Sequence, residues 1–100
     1  MSNLTHLREM QREVWAIADQ SGFHDGDRSR AKVLALIHSE VSEALEADRA
    51  DDDENYAEEL ADIMIRVMDH AEAENIDLLD EIQTKNAENR KREYKHGKDY

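Results

Sequence analysis

The sequence predicts an all-α protein of four helices, and three observations support this prediction. The 100 residues contain no proline and three glycines, so few positions interrupt a helix. No stretch combines β-branched residues with a period of two, which is the pattern of a strand. Apolar residues recur instead at spacings of three and four, as they do on one face of a helix. A chain of this length forms a single domain, here residues 1–100.

The first two helices are placed by their apolar spacing and by the segment between them. Helix 1 is expected at about residues 3–20, where leucine, methionine, valine and isoleucine side chains share one face. The glycine- and aspartate-rich stretch 21–27 ends it. Helix 2 is expected at about residues 29–50, and the acidic stretch 51–55 forms a turn after it.

The last two helices follow the same pattern. Helix 3 is expected at about residues 55–74, where an apolar arc covers half of the circumference or more. Asn75 and Asp77 mark a break, and Asp77 has the side chain of a helix N-cap. Helix 4 is expected to begin there and to run to about residue 94, with Gly97 ending the helical pattern. Short connections between the helices favour a four-helix bundle.

Composition excludes several classes of protein. Twenty-five acidic residues against 13 basic ones give a net charge of −12, which argues against nucleic-acid binding through a basic surface. The absence of cysteine excludes disulfides, thiolate zinc sites and thiol nucleophiles. The sequence shows neither a membrane-length apolar run nor the apolar core of a signal peptide, so we expect a cytoplasmic protein without membrane partners.

Two pairs of acidic residues are the strongest chemical signal. Glu40 and Glu43 are three residues apart on helix 2, and Glu59 and Asp62 are three apart on helix 3. Residues at this spacing share a helix face, so their carboxylates can converge on one hard divalent cation such as Mg²⁺. The spacing alone is weak evidence in so acidic a chain, where a solvated helix face is the ordinary explanation of such a pair.

Position on the helix sets Glu40 apart. Glu40 falls within the apolar arc of helix 2, and Glu43 lies at the edge of that arc. A carboxylate in an apolar face must either be paired or coordinate a cation, because burying it bare costs too much free energy. An ion pair with a basic residue of another helix therefore remains an alternative to metal binding. Glu59 and Asp62 lie on the polar side of helix 3, so their position does not distinguish them from a solvated surface.

The register of helices 2 and 3 supplies a second argument that the acidic pairs form a cation site. The centres of the two acidic pairs are equally distant from Asp51, which begins the turn. An antiparallel hairpin of helices 2 and 3 would bring both pairs to the same level. Four carboxylates so close together repel one another unless cations neutralise them.

Basic residues are concentrated towards the C-terminal end of the chain. The apolar face of helix 4 continues C-terminally as Lys85, Asn86, Asn89 and Arg92. This pattern fits either a ligand phosphate or a helix end whose cations complement the helix dipole. Beside a carboxylate-metal cluster, it favours a phosphate ligand bridged by Mg²⁺.

These motifs, taken in order, resemble a known family. The segments IHSEVSEALE at residues 37–46 and EELADI at residues 58–63 are similar to the ExxE…ExxD signature of MazG-like nucleotide pyrophosphohydrolases. Lys85, Asn89, Arg92 and the YKHGK stretch at residues 94–98 resemble the ending of that family. Glu93 departs from it, since proline is common at that position. The family is an all-α superfamily of enzymes that hydrolyse nucleoside triphosphates to monophosphates and pyrophosphate.

The resemblance implies roles for the acidic and basic residues. Glu40, Glu43, Glu59 and Asp62 would hold Mg²⁺, with Mn²⁺ as a possible substitute, and Glu43 is the candidate acceptor of a proton from water. The residues that would contact the nucleotide or its phosphates are Lys85, Asn89 and Arg92.

The resemblance also implies a site for the base and a quaternary structure. Trp15, Phe23 and His24 are the candidates for stacking on a nucleobase, although an ordinary core position is the commoner role of a tryptophan. Members of the family are usually dimers or tetramers, and the wide apolar arcs of helices 2 and 3 are consistent with a MazG-like bundle completed by oligomerisation.

The sequence also bears on two other functions. A non-catalytic acidic helical module, for interaction or as a nucleic-acid mimic, would account for the charge but not for Glu40 within an apolar arc. A ferritin-like di-iron bundle requires Glu-x-x-His motifs, and the sequence has none.

Overall fold

The fold is all-α, as the sequence predicts. A computed structural model describes residues 5–92, and this part of the chain holds four helices and no strand. The helices are α1 (Thr5–Gln20), α2 (Arg30–Arg49), α3 (Asp53–Ala73) and α4 (Leu78–Arg90). The predicted start of helix 1 at residue 3 lies outside the described residues.

Side-chain caps define where three of the helices begin. Ser29 accepts a hydrogen bond from the amide of Lys32 at the start of α2, and Asp77 accepts one from Asp80 at the start of α4. Each satisfies an amide that has no partner within its helix, which is the role expected of an N-cap.

The predicted start of helix 3 was two residues too late. The Asp52 side chain accepts a hydrogen bond from the amide of Asn55, so it caps the helix and α3 begins at Asp53. The connection from α2 is accordingly short. Asp51 adopts a left-handed conformation with a φ of 57°, and the Asp52 amide donates to the Ala47 carbonyl. This tight turn reverses the chain direction and folds α3 back along α2.

The predicted end of helix 4 at residue 94 was too late. The helix ends at Arg90, where the amides of Lys91 and Arg92 bond to the carbonyls of Glu88 and Asn89. Bonds to the third preceding residue tighten the last turn and end the α-helical pattern. Residues 93 and 94, which were included in the prediction, lie outside the described residues.

The helices pack around α3, which contacts both α2 and α1, while α4 leans on α1. The interior is small. Six apolar residues are buried within residues 5–92, and they are Val33, Ala44, Ala47, Met68, Ala71 and Leu79. A core this thin is typical of a chain of about 100 residues, which has little interior relative to its surface.

Large apolar side chains remain exposed on α2 and α3. On these two helices they are Leu34, Val41, Leu45, Tyr56, Leu60, Met64 and Ile65. The helices nevertheless carry too many charges to cross a bilayer, and none within the described residues meets the length and hydropathy of a membrane span.

Candidate active site

Three carboxylates from α2 and α3 converge near the turn of the hairpin. Glu40, Glu43 and Glu59 each offer an oxygen, and these oxygens lie within 4.8 Å of one another. We call these three residues the acidic cluster. Glu40 is buried, Glu59 is half-buried and Glu43 is exposed. The tight turn produces this convergence, because it sets the level at which α3 runs back past α2.

Asp62 was placed with these residues by the sequence but lies at the edge of the arrangement. Its side chain is exposed, and it is not among the three carboxylates that come within 4.8 Å. Its charge still acts on the cluster, since it contributes to raising the pKa of the Glu59 carboxyl. The structure therefore brings three of the four predicted ligands together, with the fourth one helical turn away on α3.

Glu59 is the carboxylate whose hydrogen-bonding needs are least satisfied. Its Oε1 is buried and has no hydrogen-bond partner within residues 5–92. Burial raises the pKa of the Glu59 carboxyl, and the negative charges of Glu43, Asp62 and Glu40 raise it further. A buried acceptor without a donor is rare in folded proteins, and a bound cation would satisfy it.

Glu40 has a basic partner as well as its acidic neighbours. The Nε of Arg66, on α3, donates to Oε2 of Glu40 over 3.0 Å. This is the ion pair with another helix that the sequence left open as an alternative. One guanidinium does not neutralise the negative charge of the acidic cluster, however, because within residues 5–92 neither Glu43 nor Glu59 forms an ion pair.

The loop between α1 and α2 carries the predicted aromatic residues towards α3. Gly22 ends α1 with a φ of 81°, a left-handed conformation that glycine adopts at little cost. The chain turns there, and the next two residues reach α3. The guanidinium carbon of Arg66 lies 4.1 Å from the centre of the Phe23 ring, and that of Arg28 lies 5.0 Å from it.

His24 is held by carboxylates on both sides. Its Nε2 lies 2.7 Å from Asp69 Oδ1, and its Nδ1 lies 2.9 Å from Asp19 Oδ1. Burial opposes the charged imidazolium, but the hydrogen bonds to Asp19 and Asp69 outweigh it and raise the pKa of His24 above 6.5. The ring also lies against Trp15, with 4.9 Å between ring centres. Two of the three predicted stacking residues are therefore packed against each other.

Asp69 anchors this loop and was not identified from the sequence. Its side chain is only 3% exposed, and its second oxygen accepts a hydrogen bond from Arg28 Nη2 at 3.1 Å. We call Asp69, His24, Arg28 and Asp19 the Asp69 network. One signal pointed to Asp69 and to Arg66: with Glu59 and Asp62 they fall at helical spacings along a single face of α3.

The predicted phosphate-binding residues lie apart from the acidic cluster. Lys85, Asn89 and Arg92 are exposed, and α4 packs against α1 rather than against the hairpin. Lys85 pairs with Glu88 on its own helix, at 3.3 Å. Within residues 5–92, neither Lys85 nor Asn89 forms a hydrogen bond or ion pair with the acidic cluster.

Two clefts lie near the acidic cluster: one is lined by two of its residues, and the other has Arg66, the partner of Glu40, in its wall. A cleft of about 290 Å³ lies towards the hairpin turn, and most of the residues that line it are polar, Glu43 and Glu59 among them. An apolar cleft of about 210 Å³ lies between α1 and α3, with Phe23 and Arg66 in its wall. Concave sites that combine apolar lining with a few placed polar groups are where small ligands bind.

Comparison with known proteins agrees with this arrangement. Residues 7–89 match the sequence model of the family described as phosphoribosyl-ATP pyrophosphohydrolase. No curated protein and no solved structure matches the chain. The family match confirms the pyrophosphohydrolase resemblance noted in the sequence, and it does not favour the non-catalytic alternative.

The match extends over most of all four helices and includes all four predicted metal ligands. It spans well over half of the chain. The chain therefore belongs to the phosphoribosyl-ATP pyrophosphohydrolase family and is a hydrolase that acts on the phosphoric anhydride bonds of a nucleotide.

Proposed function

We propose that this protein is a divalent-metal-dependent nucleoside triphosphate pyrophosphohydrolase. It would convert a ribo- or deoxyribonucleoside triphosphate and water to the monophosphate and pyrophosphate, a reaction suited to control of nucleotide pools. The observation that carries the proposal is the convergence of Glu40, Glu43 and Glu59, with the buried Oε1 of Glu59 left without a hydrogen-bond partner among residues 5–92.

The acidic cluster fits a hard cation by its chemistry. Its donors are all carboxylate oxygens, which Mg²⁺ prefers and Mn²⁺ accepts. Members of the family are typically dependent on a divalent metal. Glu40, Glu43 and Glu59 would hold the ion, and Asp62 would join them from the next turn of α3. Bound there, the cation would neutralise phosphate charge and lower the pKa of a coordinated water molecule.

The three cluster residues differ in what they can contribute. Glu40 is only 8% exposed and is tied to Arg66, so it serves as a fixed ligand. Glu43 is exposed and without an ion pair within residues 5–92, so it can accept the proton that the attacking water loses. The water oxygen then forms the new bond to phosphorus as the α–β anhydride bond breaks, and pyrophosphate leaves.

The nucleotide would need contacts beyond the acidic cluster. Phe23 lines the apolar cleft, which suits a flat base, and His24 contacts the rings of both Phe23 and Trp15 beside it. The cleft of about 210 Å³ is smaller than the roughly 300 Å³ or more of typical ligand pockets, so it suits the base rather than the whole nucleotide. Stacking would not by itself select one base.

Lys85, Asn89 and Arg92 would bind phosphate in an oligomer. They are exposed on α4 or just after it, and α4 packs mainly on α1 in the described part of the chain. The exposed apolar side chains of α2 and α3 offer a surface for a second copy, such as Leu45, Leu60 and Met64. We propose a homodimer or homotetramer in which α4 of one protomer approaches the acidic cluster of another. Sedimentation should give the mass of two or four chains, and a monomer would contradict this part of the proposal.

The decisive experiment is a screen for pyrophosphate release. Purified protein with Mg²⁺ is incubated with the canonical and modified nucleoside triphosphates and with phosphoribosyl-ATP, the compound in the family's description. At least one should yield the monophosphate and pyrophosphate in equal amounts, and EDTA should stop the reaction. Release of orthophosphate instead, or no turnover of any compound, would refute the proposal.

A further inference from the structure

Arg66 lies between the two parts of the site that a nucleotide would have to span. Its Nε donates to Oε2 of Glu40 in the acidic cluster, at 3.0 Å. Its guanidinium carbon lies 4.1 Å from the centre of the Phe23 ring, in the wall of the apolar cleft. The side chain is 29% exposed, so a ligand can reach it.

The hydrogen bonding of this guanidinium is incomplete. Nε is engaged, but no residue within 5–92 accepts a hydrogen bond from either terminal nitrogen of Arg66. Arg30 provides the contrast, because it also joins α2 to α3 and directs both Nε and Nη2 at Glu74, at 3.0 and 2.6 Å. A bridge that only ties two helices together is expected to use the guanidinium as Arg30 does.

The open side of Arg66 has the geometry that an anion requires. Stacking on Phe23 and the bond to Glu40 fix the plane of the guanidinium in advance, so little conformational entropy is lost on binding. The terminal N–H groups of arginine match the oxygens of a phosphate. A base in the apolar cleft and a polyphosphate at the acidic cluster would meet at this residue.

We propose that Arg66 binds a phosphate group of the substrate and thereby couples the apolar cleft to the acidic cluster. The inference rests on the proposed function and adds a substrate contact to it. It does not require a change in the Arg66–Glu40 pair, because the donors it uses are those that the pair leaves open.

The test compares two Arg66 variants with a matched control. Arg66→Met removes the charge, and Arg66→Lys keeps the charge but loses the planar fork. Arg30→Met removes another arginine that bridges α2 and α3, away from the acidic cluster. Isothermal titration measures three dissociation constants for each protein: for Mn²⁺ alone, for inorganic triphosphate with Mg²⁺, and for the α,β-methylene analogue of the best substrate with Mg²⁺.

We expect Arg66→Met to weaken binding of both polyphosphates about tenfold or more, since a hydrogen bond to a charged group contributes roughly that much. Its affinity for Mn²⁺ alone should not fall, because a guanidinium repels a cation. Arg66→Lys should fall between wild type and Arg66→Met, and Arg30→Met should match wild type in all three titrations.

Two results would overturn the inference. Unchanged polyphosphate affinity in Arg66→Met, or in Arg66→Lys if the methionine variant does not fold, would show that Arg66 makes no substrate contact. A parallel loss of Mn²⁺ affinity would show that Arg66 acts only by holding Glu40. Failure of the proposed function is seen separately, in the wild-type protein, as an absence of turnover, and the inorganic triphosphate titration still tests Arg66 in that case.

Discussion

The α3 helix carries two sites, each built around a carboxylate. In one site the carboxylate is paired with cationic side chains, and in the other it is not. Asp69 is buried, and its two oxygens are paired with His24 and Arg28. Glu59, ten residues earlier, faces other carboxylates and keeps a buried oxygen without a partner in the described part of the chain. A carboxylate that the protein satisfies itself stabilises the fold, whereas one that it leaves unsatisfied is prepared for a ligand.

The largest expected effect is that of Asp69 on the free energy of unfolding. Asp69→Asn removes the charge between two cationic side chains, and breaking a buried pair in this way costs about 3 kcal/mol of the free energy of unfolding. Urea denaturation measures the change. Glu46→Gln, which breaks an exposed pair with Arg49, is the control and should cost less than about 1 kcal/mol. Equal losses in the two variants would show that Asp69 has no special role in the fold.

Glu59→Gln should lower activity without lowering the free energy of unfolding, the opposite of what we expect for Asp69→Asn. Loss of a metal ligand is expected to lower kcat/KM for pyrophosphate release by about a hundredfold, comparable to the loss of one important group that stabilises the transition state. The free energy of unfolding without metal should stay level or rise, because the substitution removes a charge that its neighbours repel. A variant that is active but unstable would reverse our assignment of the two sites.

Metal should stabilise the wild type through the acidic cluster. A cation that binds the folded state alone adds about 2.7 kcal/mol at a hundred times its dissociation constant. Thermal melts with increasing MnCl₂ should show this rise in wild type and in Asp69→Asn, but much less of it in Glu59→Gln. If Glu59→Gln gains as much as wild type, the ion binds elsewhere.

The smallest expected effect is a pH dependence in the Asp69 network. The pKa of His24 is raised by its hydrogen bonds to Asp19 and Asp69, so its stabilising contribution is complete below about pH 6.5 and is lost as the pH rises through the higher folded value. Melting temperatures between about pH 5.5 and about pH 9 should fall in wild type. The step should be absent in His24→Gln, and an identical decline in both proteins would exclude His24 as its source.

The sequence allowed the helices to be predicted because their signals are local. Asp77 was identified as a cap from its residue type and position alone, and it caps α4 as expected. Helix ends were less certain. Asp52 and Asp53 stand in a run of acidic residues, any of which can cap a helix, so the start of α3 was misplaced by two residues.

The acidic cluster was partly accessible to sequence reasoning, and the Asp69 network was not. The symmetry of the hairpin about Asp51 predicts that the pair Glu40/Glu43 lies level with the pair Glu59/Asp62, and this requires only counting residues. Asp69 depends on His24, and the two are joined only because Gly22 turns the loop back over α3. Helical spacing places Asp69 on the face of α3 that carries Glu59, but contacts made through an irregular loop leave no periodic pattern, so the spacing does not predict its pairing with His24.

The short connection between α2 and α3 fixes the register of the hairpin, and with it the spacing of the side chains that face each other across it. Ala50, Asp51 and Asp52 form the short turn, and the amides of the two aspartates donate to the carbonyls of Asp48 and Ala47. One residue inserted in α3 before Glu59 would shift Glu59 by about 1.5 Å along the helix and rotate it by about 100°, so its carboxylate would turn away from Glu40 and Glu43. Anyone transplanting this centre into another scaffold should therefore move the hairpin whole, with its bend intact, rather than graft side chains onto two separate helices.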